Sequence, residues 1–126
     1  MVSVFAGREY ALKIIKEEEQ IQRGFVYWFR KTYSQIPIGM SPITKMSVQQ
    51  GARMKAAGYT RGWPDIFIPI PHKSWGGLFI EFKSPKGKIS EHQKKMLTGL
   101  YELGYKTAVC RSIEDAMTVV RLYLRA

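Results

Sequence analysis

Asp65, Glu81 and Lys83 are the residues whose types and spacing point most directly to chemistry. Glu81 and Lys83 are two apart, so in an extended strand both side chains leave the same face. Asp65 stands just before a β-rich run, Ile66-Phe67-Ile68-Pro69-Ile70. Glu81 and Lys83 close a second run, Leu78-Phe79-Ile80-Glu81-Phe82-Lys83. If the two runs fold back antiparallel, the Asp, the Glu and the Lys meet at one end of a sheet. Two carboxylates a few ångströms apart repel each other unless a cation or a proton sits between them. A hard divalent ion such as Mg²⁺ suits oxygen ligands and keeps waters for a substrate phosphate. Beside it, Lys83 would orient or help deprotonate an attacking water, or stabilise charge on the phosphate. A plainer reading competes: a Glu–Lys surface pair at a strand end, worth little, and an Asp65 that does turn chemistry after Pro64.

The surrounding elements decide whether these residues can meet. Residues 8–33 contain no Pro and one Gly, and read as one long helix. Ile14, Ile21, Phe25, Trp28 and Phe29 fall on one stripe at about 100° per residue. Glu18 falls inside that stripe, between Phe25 and Phe29 on the wheel, while Glu17 and Glu19 fall outside. A Glu on a core-facing stripe is costly unless it is paired or serves a metal. The alternative is a helix rotated by about 40°, with Glu18 solvated. Gln22 follows one turn later, at the stripe's edge. Residues 34–48 hold Pro37, Gly39 and Pro42 and read as an irregular connection, in which positions 37–48 have room for an edge strand. Residues 49–57 form a short helix with Gly58 placed as its C′ residue.

Between the two β-rich runs, residues 71–77 have the length and the Gly76-Gly77 pair of a hairpin loop. Pro69 lacks an N–H and belongs where no ladder bond is needed. A helix over residues 90–103 is ended by Gly104. A short apolar strand covers 107–110, and Ser112 opens a last helix with Asp115 at capping-box spacing. A strand–helix–strand step after a hairpin implies a parallel crossover, hence a mixed sheet with helices packed on it. Ser90-x-x-Gln93 also matches a capping box, in which Gln93 only satisfies a backbone N–H. Yet Gln93 sits one turn ahead of Met96, Leu97 and Leu100 on the buried face, which aims it at the sheet end bearing Lys83.

Length, charge and composition narrow the function. The 126 residues suffice for one domain, and 45% apolar with 24% charged residues is the composition of a folded soluble chain. No run approaches the length of a membrane span. Positions 1–10 lack a secretory signal. One cysteine, Cys110, excludes an internal disulfide and multi-cysteine zinc sites, and fits a reducing, cytoplasmic setting as inert core. Lys plus Arg is 20 against 10 Asp plus Glu, a net charge of +10. A small domain this basic attracts polyanions, nucleic acid first among them, with ribosome-like packaging, anionic lipid or mere solubility as weaker readings. Between Gln20 and Ser90 the only acids are Asp65 and Glu81, set among eleven Lys and Arg. Lys86 and Lys88, on either side of Gly87, sit in the loop after Lys83, either to meet a phosphate or as an ordinary solvated loop. Trp63 and Trp75 flank the hairpin, to pack on the sheet or to stack bases. His72 and His92 have no partner at ligand spacing.

Gly62-Trp63-Pro64-Asp65, then Glu81-Phe82-Lys83, then Gln93 resemble the PD-(D/E)xK nuclease signature. The Gly ahead of Pro-Asp, the Gln ten residues after the Lys, and Glu18-x-x-Ile21-Gln22 in the first helix make the resemblance more specific. Together they look like the virus-type replication-repair nuclease (VRR-NUC) family in its stand-alone phage or bacterial form, from about residue 18 to residue 120. The resemblance implies a single nuclease domain over residues 1–126, with an α/β restriction-endonuclease-like core: a mixed sheet of about four strands flanked by helices. It implies hydrolysis of DNA phosphodiesters with Mg²⁺ or Mn²⁺. Asp65, Glu81 and the Phe82 carbonyl would hold the ion, Glu18 would reach it through water, Lys83 would position the attacking water and Gln93 would support the site. Gln22, Arg61, Lys86 and Lys88 would contact DNA. Stand-alone members are similar to Holliday-junction resolvases, which work as two-fold dimers. Tyr27, Trp28, Phe29 and Met40 could supply apolar area for such an interface. Cutting at flaps, nicks or plain duplex, or binding DNA without cutting, are the rival expectations. Where the family often has Asn-Gly ahead of the second helix, this chain has Gln50-Gly51, which leaves the role of that segment open.

Overall fold

The computed structural model describes residues 4–41 and 46–125. Lys45 and the side chain of Ile14 lie outside the described part. The first helix, α1 (Val4–Thr32), ends with Arg30 and Lys31 in its last turn, where cations complement the helix dipole. After the 33–38 connection comes β1 (Gly39–Met40), the edge strand for which the sequence left room. The second helix, α2 (Val48–Ala56), is opened by Ser47, whose hydroxyl accepts from Gln50 N–H while the Gln50 side chain accepts from Ser47 N–H. That capping box gives Gln50 a structural task in the first turn of the helix. Gly58 follows the C-cap at φ 112°, as its position predicts.

Strands β2 (Ile66–Ile68) and β3 (Leu78–Phe82) pair antiparallel, with Ile66 opposite Ile80 and Ile68 opposite Leu78. β2 stops before Pro69, two residues earlier than the apolar run suggested, because proline offers no ladder N–H. The turn between them falls at His72–Trp75, which exchange two backbone bonds around Lys73 at φ 55°. The turn thus falls inside the expected 71–77 loop, with Gly76-Gly77 after it. A Cβ at Gly77 would stand 2.6 Å from the Phe67 ring, so that glycine is spent on packing. Helix α3 (Glu91–Glu102) crosses to β4 (Lys106–Cys110), which runs parallel to β3 in the register Phe82 opposite Cys110. Helix α4 (Ile113–Tyr123) follows. Ser112 caps it by accepting from Asp115 N–H, but the Asp115 carboxylate accepts from Arg111 N–H rather than closing the expected box.

The result is a mixed four-stranded sheet in the order β1-β2-β3-β4 with helices on it. Ile66, Ile68, Leu78, Ile80 and Phe82 are fully buried on one face, against Phe25 and Phe29 of α1 and Val120 of α4. The Phe25 and Phe82 rings lie 5.5 Å apart, which fixes α1 over the end of β3. Strand alternation turns Phe67, Phe79, Glu81 and Lys83 to the opposite face, where Leu100 of α3 packs. The same pleat that builds the core thus delivers Glu81 and Lys83 away from it.

Candidate active site

Continuing the β2–β3 register by one pair places Asp65 opposite Glu81. The Asp65 Oδ2 accepts a 2.7 Å hydrogen bond from Phe82 N–H. An N–H and a C=O of one strand residue point to the same side. The Phe82 carbonyl therefore faces the side where β2 has ended and Pro64 has no N–H to offer. Glu81 is 3% exposed. Its Oε1 accepts from Gln93 Nε2 at 2.9 Å and lies 3.9 Å from Lys83 Nζ. Its Oε2 is buried with no hydrogen-bond partner. Burial first, and then the negative charge of Asp65, push the Glu81 carboxyl up to about 8. Burial also raises Asp65, although the Phe82 N–H and Lys83 pull it down.

That environment fits a cation. An orphaned buried carboxylate oxygen beside a second carboxylate and a free-facing carbonyl is an oxygen donor set with one position unfilled. Among the described residues, no three or more His, Cys, Asp or Glu side chains are placed to hold a metal together. Glu18 is half-buried, as Glu17 and Glu19 are, and its Oε1 accepts from Ser84 N–H at 3.4 Å.

The supporting residues come from three elements. Gln93 performs both tasks that its position allowed. Its Oε1 accepts from Ser90 N–H to cap α3, and its Nε2 donates to Glu81. Gly62, at φ 96°, lets the loop that carries Asp65 lie against the first turn of α3. A Cβ there would stand 2.6 Å from His92 O. Gly87 gives similar clearance, since its Cβ would sit 2.7 Å from Glu18 Oε1. Arg111, which sequence reasoning missed, clamps the loop after Lys83. Its Nη1 donates to Ser84 O at 2.8 Å and to Gly87 O at 2.7 Å. Ser84 was missed too; it is fully buried, and its hydroxyl has no partner. Only the parallel β3–β4 register, invisible in composition, sets Arg111 beside this loop.

Other candidates lie apart from the carboxylates. Lys86, Lys88 and Arg61 are exposed around the site. Gln22 is buried at the base of a groove lined by Arg23, Arg30 and Lys31 of α1 and by Met40. Phe29 is core and Trp28 is half-buried under Arg121, so only Tyr27 and Met40 (69% and 58% exposed) remain of the expected apolar patch. Trp63 and Trp75 both pack on neighbouring rings, Phe79 and Tyr101 respectively. His72 contacts the Arg125 carbonyl through its ring, and His92 is exposed. Cys110 is buried, with its thiol pushed up to about 12 by burial. No helix among the described residues is long and apolar enough to cross a membrane.

Comparison with known proteins agrees with this fold. A family model described as the VRR-NUC domain matches residues 8–114. A solved structure titled VRR_NUC domain protein superposes with a TM-score of 0.71 at 24% identity, covering 86% of this chain and 88% of that one. No curated protein matches.

Proposed function

Starting from the fact that this chain belongs to the VRR-NUC family, a family of nucleases that act on DNA, we propose that it is a divalent-metal-dependent endonuclease of branched DNA. The single observation that carries the metal dependence is the unpartnered, buried Glu81 Oε2 next to Asp65. Asp65, Glu81 and the Phe82 carbonyl would hold Mg²⁺ or Mn²⁺, with Glu18 reached through water. The ion, when bound, would polarise a phosphoryl oxygen and acidify a coordinated water.

The chain's own residues do the rest. Lys83 Nζ, fixed 3.9 Å from Glu81 Oε1, stands where it can hold a water in line with the phosphorus and take up charge that grows on the phosphate. Gln93 fixes one Glu81 oxygen and leaves the other unpartnered, so that it would be available to an ion. Glu18 holds the Ser84 N–H, and with it the loop that carries Lys86 and Lys88 toward the DNA backbone. Gln22 and Arg61 supply further contacts on either side. Two symmetric cuts in a four-way junction need two sites, which a homodimer provides. The exposed Tyr27 and Met40 offer apolar area for that pairing.

The test is cleavage of labelled four-way junctions, flaps and linear duplex with Mg²⁺ at one salt concentration. Lys83→Ala should lose cleavage by at least about a hundredfold while keeping affinity. Wild-type rates in Lys83→Ala would refute the mechanism. Equal cutting of junction and duplex would refute the branched-DNA preference. A monomer in sedimentation at micromolar concentration would refute the dimer.

A further inference from the structure

We propose that the trough beside the carboxylates seats an unpaired nucleobase of the substrate strand, next to the phosphate to be cut. This rests on the nuclease reading and adds to it a source of substrate choice. The trough has a volume of about 570 Å³. Phe67 and Phe79 form its floor, and Met40, Trp63, Leu103 and Tyr105 stand around it. Phe79 is two residues before Glu81 on the same strand, so floor and carboxylate share a sheet face, roughly 7 Å apart along it. One nucleotide can span that distance. Trp63 is 38% exposed and directly precedes Pro64-Asp65, and its ring leans on Phe79 at 5.7 Å. Its position ties the trough wall to the residue that carries the first carboxylate.

The charges select the occupant. A second depression shares the Trp63 wall and is lined by Arg61, His92 and Lys95. An apolar recess with Arg61 and Lys95 just beyond its Trp63 wall matches a nucleotide, whose base is apolar on both faces and whose phosphate is anionic. A second copy of this chain, itself at +10, would bring cations to a surface that already carries them. Bases inside an intact duplex are stacked and cannot enter without unpairing. Bases at a branch point, a flap or an end can.

The experiment places 2-aminopurine at the nucleotide beside the mapped cut and binds the labelled DNA to Lys83→Ala protein, which does not cut. The probe at that position, and not at a distal one, should change its emission. In cleavage assays, a mispaired nucleotide at that position should speed cutting about tenfold, the worth of one stacked base. Trp63→Leu should bring that ratio to near one, and Trp63→Phe should retain it. Leu103→Glu, at a rim position 77% exposed, should also abolish the preference and serves should Trp63→Leu fail to fold. Identical probe signals at both positions, or an unchanged ratio in the variants, would overturn the assignment and leave the nuclease standing. A dimer that Leu103→Glu dissociates would give this face to a second copy and overturn it as well. No cleavage of any DNA by the wild type would instead bring down the nuclease reading itself.

Discussion

At the scale of single residues, the decisive quantity is the proton held near Glu81. Its carboxyl titrates at about 8 in the folded, metal-free protein and at 4.5 ordinarily. The native state therefore binds a proton that the unfolded chain releases across this window. Stability is fully present below about 4.5 and falls as pH rises through about 8. The melting temperature of metal-free protein should decline from pH 5 to pH 8, and Glu81→Gln should flatten that decline; melting across pH checks both. Because the ion competes with that proton, the melting shift on adding Mg²⁺ should grow from pH 6 to pH 8. Asp65→Asn should abolish metal-dependent cleavage with no loss of melting temperature without metal, since it removes like-charge repulsion. A large drop would mark Asp65 as a structural residue. Asp65, Glu81 and Lys83 were legible in the sequence because strand alternation is simple arithmetic. Gln93 was legible twice over, as a cap and as a support, and the two roles are compatible because its amide has two ends. Arg111 and Ser84 were not legible, since their meaning depends on a register between strands 24 residues apart.

At the scale of elements, the first turn of α3 and the loop before β2 form one mechanical unit, and variants can separate its parts. Ser90→Ala removes only the cap, and should cost about 1 kcal/mol of stability while leaving cleavage near wild type. Gln93→Leu removes the cap bond and the Glu81 tether together, and should lose both stability and activity. Chemical denaturation and junction cleavage on the same preparations compare them. Gly62→Ala faces both an unfavourable φ and a backbone contact at 2.6 Å. It should cost about 1–3 kcal/mol and shift the loop that carries Asp65 away from the first turn of α3, which melting and cleavage would again report. Helices and strands were readable here because their periodicities are local. Within the hairpin loop the tight position was not legible, because Lys73 adopts a backbone conformation that favours glycine, while Gly77 makes room for Phe67 and Gly76 for Tyr105. Asp115 stood at capping-box spacing yet bonds Arg111 N–H, because the chain leaving β4 brings that donor closer.

For the molecule as a whole, charge is the dominant long-range term. With +10 and basic groups gathered along α1 and around the site, DNA affinity should fall steeply with salt, linearly on a double-logarithmic plot. Reversing Arg30 and Lys31 to Glu should weaken binding to junction and duplex alike and flatten that plot, as titrations at several salt concentrations would show. Fold class was legible at this scale, since a hairpin followed by a strand–helix–strand step admits few arrangements. The boundary between core and surface was less so: Phe29 stood both on the core-facing stripe and among the candidates for an interface, and it is fully buried because α1 turns its stripe onto the sheet. The parallel pairing of β3 with β4 has one more consequence. Lys83 N–H donates to Cys110 O, and Arg111 locks the loop that follows Lys83. During synthesis, a ribosome-bound chain would carry every residue of the carboxylate pair long before the strand that fastens them has left the exit tunnel. A chain cut short before Lys106 would hold both carboxylates and lack the strand that fastens them.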